Sequence, residues 1–229
     1  MRRWLPAALL IALSAGAGLL ATRAPSGAAP ADCITLGDFS KAKIGEFPAD
    51  WKAREEAGKE VYSVQQEGGV TFLRAVSKGL GIQAAREVDG WDLGAYPMLA
   101  WSWRPRQFPK GSDERDSKLN DSALAVYMLV PHSRVRGPKA VKYIWSEKVP
   151  VGTPLSSNHG LTQVRVLRSG APAGKDAWVE ERVNVLADYK KLFKESKTPK
   201  PAGIAVLTDA DDTGSVAAGD YAKFRACRG

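Results

Sequence analysis

Apolar and polar residues alternate along most of this chain, in short runs broken by Gly, Pro, Asn and Asp. A period of two predicts strands that turn one face to a core and the other to water. Runs of this kind, rich in β-branched and aromatic residues, lie at 34–39, 61–65, 70–77, 81–87, 98–104, 122–130, 141–146, 163–168, 177–185, 203–208 and 221–227. One stretch keeps a helical period instead: Leu186, Tyr189, Leu192 and Phe193 predict a short helix over 186–194. Many short strands with one helix predict an all-β fold, a two-sheet antiparallel β-sandwich of jelly-roll type.

Alternation also sorts the side chains. Leu99, Trp101 and Trp103 share one strand face, opposite Ser102 and Arg104. Val141, Tyr143 and Trp145 share another, opposite Lys142 and Ile144. Both aromatic rows read as core, with a ligand-facing row as the alternative. The 122–130 run is apolar on both faces, as expected of a central strand covered from both sides. Trp178 shares its face with Glu180 and Arg182. It is either a stacking platform for a flat ligand such as a sugar ring or a ring packed under a loop.

The start of the chain breaks this pattern. Arg2 and Arg3 precede an apolar run over 5–21, and Ala29-Pro30-Ala31 offers a small-residue cleavage site. This reads as a signal peptide over residues 1–31, with an uncleaved N-terminal anchor as the alternative. No later stretch is long and apolar enough to span a membrane. Residues 32–229 then form one domain, placed in the periplasm or outside the cell. Residues 1–31 hold Arg2, Arg3 and Arg23 and no acid, so their removal takes the formal charge from +8 to +5. An exported chain of modest positive charge argues against nucleic acid as a partner and leaves acidic glycans or lipid head groups open, beside a merely solvated basic surface.

Export gives the two cysteines a meaning. Cys33 and Cys227 stand at opposite ends of this domain, and in an oxidising space such a pair is expected to form a disulfide. The bond requires Cα atoms within about 7 Å, so the first and last strands are predicted to be neighbours.

The densest chemical cluster is Thr208-Asp209-Ala210-Asp211-Asp212-Thr213-Gly214, just after an apolar strand. Oxygen-rich loops of this kind suit calcium, and Asp209, Asp211 and Asp212 are the candidate ligands. Asx turns explain the same residues without metal. Asp121, at the start of the 122–130 strand, is placed to reach the same sheet end. Glu180, Glu181, Asp121 and Asp209 are candidates for a glycosidase-type carboxylate pair. The two histidines, His132 and His159, form no metalloprotease motif, and neither a nucleophile elbow nor a phosphate-binding glycine loop is present. Arg134, Arg136, Lys139 and Lys142 lead into Trp145, a pattern that suits an acidic sugar as well as a solvated loop.

Several of these pieces together resemble a family of secreted bacterial proteins known as domain-of-unknown-function family 3047. They are Phe47-Pro48 with Trp51, Trp101–Arg104, Asn120-Asp121-Ser122-Ala123 with Tyr127, Tyr143-Ile144-Trp145, Trp178-Val179, Asp188-Tyr189 with Phe193, Gly203-Ile204-Ala205, and Thr208–Thr213. The resemblance implies a β-sandwich and an exported location, with no established activity. The chain departs from the family pattern by carrying Asn120-Asp121 in place of paired Asp, and Asp212 in place of Asn. The pattern also has an Arg near Ala125. The functional expectation is a non-catalytic module that binds a carbohydrate or other envelope ligand through Trp178, Tyr143, Trp145, Arg104 and Asp121. The alternatives are a glycan hydrolase or lyase and a structural envelope protein.

Overall fold

A computed structural model describes residues 32–174 and 176–229, and the expected signal peptide lies outside them. Residues 32–229 form one compact unit. In chain order the strands are β1 (Cys33–Gly37), β2 (Lys52–Ala53), β3 (Tyr62–Glu67), β4 (Val70–Lys78), β5 (Ala84–Glu87), β6 (Met98–Gln107) and β7 (Leu124–Ser133). They continue with β8 (Gly137–Ser146), β9 (Pro154–Ser157), β10 (Thr162–Ser169), β11 (Val179–Asn184), β12 (Gly203–Leu207) and β13 (Val216–Cys227). Each predicted strand is present within a few residues of its expected bounds.

The strands form two sheets, one ordered β11-β6-β13-β4-β3 with β1 also paired to β13, the other ordered β2-β5-β12-β7-β8-β10-β9. The chain steps from sheet to sheet along β4, β5, β6 and β7, and again along β11, β12 and β13. The result is two four-strand layers, β4-β13-β6-β11 and β5-β12-β7-β8, which is the jelly-roll order. The remaining strands extend its edges.

One pairing departs from the antiparallel expectation. β10 runs parallel to β8, from Thr162 opposite Ala140 to Ser169 opposite Ser146. After β8 the chain moves out to β9 at the sheet edge and returns between them, so β9 is antiparallel to β10. Helical content also exceeds the one expected segment. A four-residue helix, α1 (Gly58–Val61), precedes β3, and a 3₁₀ turn (Asn158–Gly160) joins β9 to β10. The expected helix is α2 (Val185–Phe193). Its N-cap residue Asn184 accepts a hydrogen bond from the Ala187 amide at 2.9 Å, filling one of the donors that a helix start leaves open.

Leu124, Val126, Met128 and Val130 of β7 point into the core between the sheets, with Trp101, Trp103, Tyr143 and Trp145. Trp101 meets Trp103 edge-on at 5.1 Å, and Trp103 lies 5.9 Å from Trp145. The other face of β7 belongs to a second cluster outside the sandwich, with Ala125, Tyr127, Ile144, Val164 and Leu207. This explains why β7 is apolar on both faces, and it places Lys142, opposite the core side of β8, on that outer surface.

The disulfide joins the terminal strands. Cys33 and Cys227 face each other in the β1–β13 ladder with Cα atoms 4.0 Å apart. No helix among the described residues is long and apolar enough to cross a membrane.

Candidate functional site

The outer face of the β5-β12-β7-β8-β10 sheet is hollowed into a groove of about 660 Å³. Tyr127 and Leu129 of β7, Ala140 and Lys142 of β8, Leu207 of β12 and the following Asp209 form its floor. One wall is the turn between β7 and β8. Ser133 Oγ accepts hydrogen bonds from the amides of Val135 and Arg136, and Gly137 turns the chain at a φ of 85°. This turn presents Arg134 and Arg136 to the groove, while Arg54, Gln83, Asn120 and Asn158 line it elsewhere. A second hollow of about 380 Å³ shares Asn120, Lys142, Ser157 and Asn158 with the first, so the depression continues past β9.

The groove is cationic. Arg54, Arg134, Arg136 and Lys142 line it against one acid, Asp209. None of the three arginines is in a salt bridge among the described residues. Lys142 is buried, with Nζ 5.5 Å from the Tyr127 ring centre. Burial pulls its ammonium towards neutrality, but Tyr127 and Asp209 outweigh burial and its pKa is raised. Asp209 is only 6% exposed. Burial first, and then the neighbouring Asp211 carboxyl, push it up to about 8, against the opposing pull of Lys142. Its Oδ1 is buried without a hydrogen-bond donor among the described residues.

The acidic loop closes one end of this floor. Asp121 is fully buried; its Oδ1 accepts from the Asp212 amide at 3.2 Å, and its Oδ2 from the Thr213 amide at 2.8 Å and the Thr213 hydroxyl at 2.6 Å. Asp121, Asp211 and Asp212 each bring one oxygen within 4.8 Å of the others. Burial, then the charges of Asp211 and Asp121, raise the pKa of Asp212. Two of the three expected metal ligands thus meet Asp121. Asp209 abuts Asp211 from the groove side. Asn120 Nδ2 donates to Asp212 Oδ2 at 2.6 Å.

The remaining ligand candidates are scattered. Tyr143 and Trp145 are buried in the core, contrary to their expected ligand contact; Tyr143 donates to Asp188 at 2.8 Å and Trp145 to the Gly170 carbonyl at 2.8 Å. No ring face is left for a ligand. Arg104 and Trp178 lie on the outer face of the other sheet. Arg104 is buried, donates to Asp220 at 2.7 Å and pairs with Glu67, and its guanidinium lies against the rings of both Phe72 (5.1 Å) and Trp178 (4.5 Å). Trp178 is therefore a packed ring instead of an open platform, held edge-on to Phe72 at 5.4 Å. Glu181 is held by Arg168 at 2.7 Å, and Glu180 by Arg225 at 2.6 Å. Alternation picked Lys142 out as the polar residue of its strand, but not what shares its face. Tyr127, Arg54, Gln83 and Asn158 carry no sequence signal that joins them to it.

The chain matches the family described as protein of unknown function (DUF3047) over residues 49–225. No curated protein matches it. Among solved structures it is similar to an agarase, AgWH50C, at 9% identity and a TM-score of 0.39, covering 87% of this chain and 25% of the agarase chain. The chain thus spans a quarter of that protein's length.

Proposed function

The chain belongs to the DUF3047 family, and on that premise we propose that it is an exported module that binds an acidic carbohydrate in the groove across the β5-β12-β7-β8 sheet. The observation that carries this reading is the set of three guanidiniums, without salt bridges among the described residues, around a buried lysine. Guanidinium forks match carboxylate and sulfate groups two bonds at a time, and the amides of Gln83 and Asn158 suit sugar hydroxyls. Tyr127 is buried beneath the groove, so ring stacking is a minor part of this recognition. That favours a charged glycan over a neutral one. The disulfide supports the exported location.

Binding fits the geometry better than hydrolysis. A glycosidase needs two carboxylates flanking the scissile bond. Here Asp209 is the one acid lining the main groove, and Asp121 is closed in a turn. Calorimetric titration with oligogalacturonate or oligoalginate is expected to show binding that weakens as salt rises. Exchanging both Arg134 and Arg136 for Ala should weaken it by roughly 10–100-fold, the loss of two charged hydrogen-bonding groups. Equal affinity for neutral oligosaccharides, or none for any polyuronate or sulfated glycan at low salt, sinks the reading.

A further inference from the structure

The acidic loop after β12 gathers more negative charge than its surroundings neutralise. One oxygen from each of Asp121, Asp211 and Asp212 falls within 4.8 Å of the others, which is the width of a calcium coordination sphere with ligands at about 2.3–2.6 Å. A fourth carboxylate approaches from below. Asp209 is 94% buried, and its Oδ1 has no donor among the described residues. That oxygen is aimed at the cluster: a Cβ built on Gly81 would lie 2.7 Å from Asp209 Oδ1 and 2.5 Å from Asp211 Oδ1, so both converge over the one residue without a side chain.

We propose that Asp121, Asp211 and Asp212, backed by Asp209 beside Asp211, hold a divalent cation of the calcium type at the end of β12. Each acid keeps acceptor capacity for it. Asp121 takes three donors across two oxygens, each of which has two lone pairs. Asp212 receives the Asn120 amide on Oδ2 and leaves Oδ1 open. The Asp211 side chain accepts no hydrogen bond among the described residues and stands exposed at the mouth. The donor set is all oxygen, with no His or Cys, which selects a hard cation. An irregular loop suits the variable coordination of calcium better than the strict octahedron of magnesium. The site stands independently of the carbohydrate reading.

The test uses the exported full-length chain stripped with EDTA. Calcium at about 100-fold above its Kd should raise the melting temperature by roughly 5–10 °C, and magnesium by less. Terbium should show sensitised luminescence that calcium displaces. Asp211→Asn, at an exposed residue, should keep the strand signal in circular dichroism and lose both effects, while Asp89→Asn, exposed beyond the opposite end of the β5–β12 ladder, keeps both. If Asp211→Asn fails to fold, Asp212→Asn takes its place. No calcium-dependent shift and no displaceable terbium signal in the native chain would overturn the proposal. So would a full calcium response in a folded Asp211→Asn.

Discussion

A single side-chain hydrogen bond ties the residues before β7 to the acidic loop. Asn120 donates to Asp212 at 2.6 Å, an amide against a carboxylate. Turning the amide into an acid sets two carboxylates against each other. Asn120→Asp in metal-free buffer is expected to cost about 1–2 kcal/mol, and adding Asp212→Asn to recover most of it, as measured by urea denaturation. Purely additive losses would show that the two residues act independently. The outer face of the other sheet has a contrasting arrangement. Asp220 is fully buried, yet Arg74 and Arg104 donate to it at 2.9 and 2.7 Å and Arg106 stands 3.7 Å away. That carboxylate is amply neutralised, whereas Asp209 has Lys142 opposing and Asp211 reinforcing its protonation. Nothing in the sequence separates these two aspartates, since each follows or sits in an apolar strand. The difference comes from partners 146 and 116 residues away for Asp220.

Among the elements, β12 and β13 show how closely backbones approach in this sandwich. A Cβ on Gly203 would sit 2.0 Å from the Arg86 carbonyl oxygen, whereas one on Gly219 would meet the tip of Leu124 at 2.3 Å. A leucine tip can turn aside; a carbonyl in the β5–β12 ladder cannot. Gly203→Ala is therefore expected to cost more than Gly219→Ala, whose overpacking amounts to roughly 1–3 kcal/mol. Denaturant midpoints of the two variants rank them, and the reverse order would place the tighter constraint at the inter-sheet packing. Strand positions were readable because alternation is strong. Val141, Tyr143 and Trp145 all turn inward as their spacing predicts, and Lys142 turns outward. β9 was not readable, because Pro154-Leu155-Ser156-Ser157 has no alternating apolar face. Its place at the edge, which forces β10 to run parallel to β8, is set by pairing and not by local sequence. The groove shared that fate. Its floor comes from three strands and its walls from loops over a hundred residues apart, whereas Trp178, the aromatic on a polar strand face, belongs to the other sheet.

For the molecule as a whole, the cysteine pair correctly indicated that the terminal strands are neighbours, and the structure adds which strand receives the first one. A disulfide between residues 194 apart is expected to stabilise the domain by roughly 5 kcal/mol, chiefly by restricting the unfolded chain. Replacing Cys33 and Cys227 together with Ala should lower the denaturation midpoint accordingly; an unchanged midpoint would mean that the β1 ladder alone holds the end. The partner of β1 is β13, the last strand in chain order, and β13 also lies between β4 and β6 at the centre of its sheet. Synthesis from the N-terminus delivers this central strand after all the others. Until it arrives, β4 and β6 have no common neighbour and Cys33 has no mate. Assembly of that sheet is therefore a late, all-at-once event, with long loops to close and strand edges to shield in the interval. The time between the emergence of β4 and that of β13 is when this protein is most exposed to misassembly.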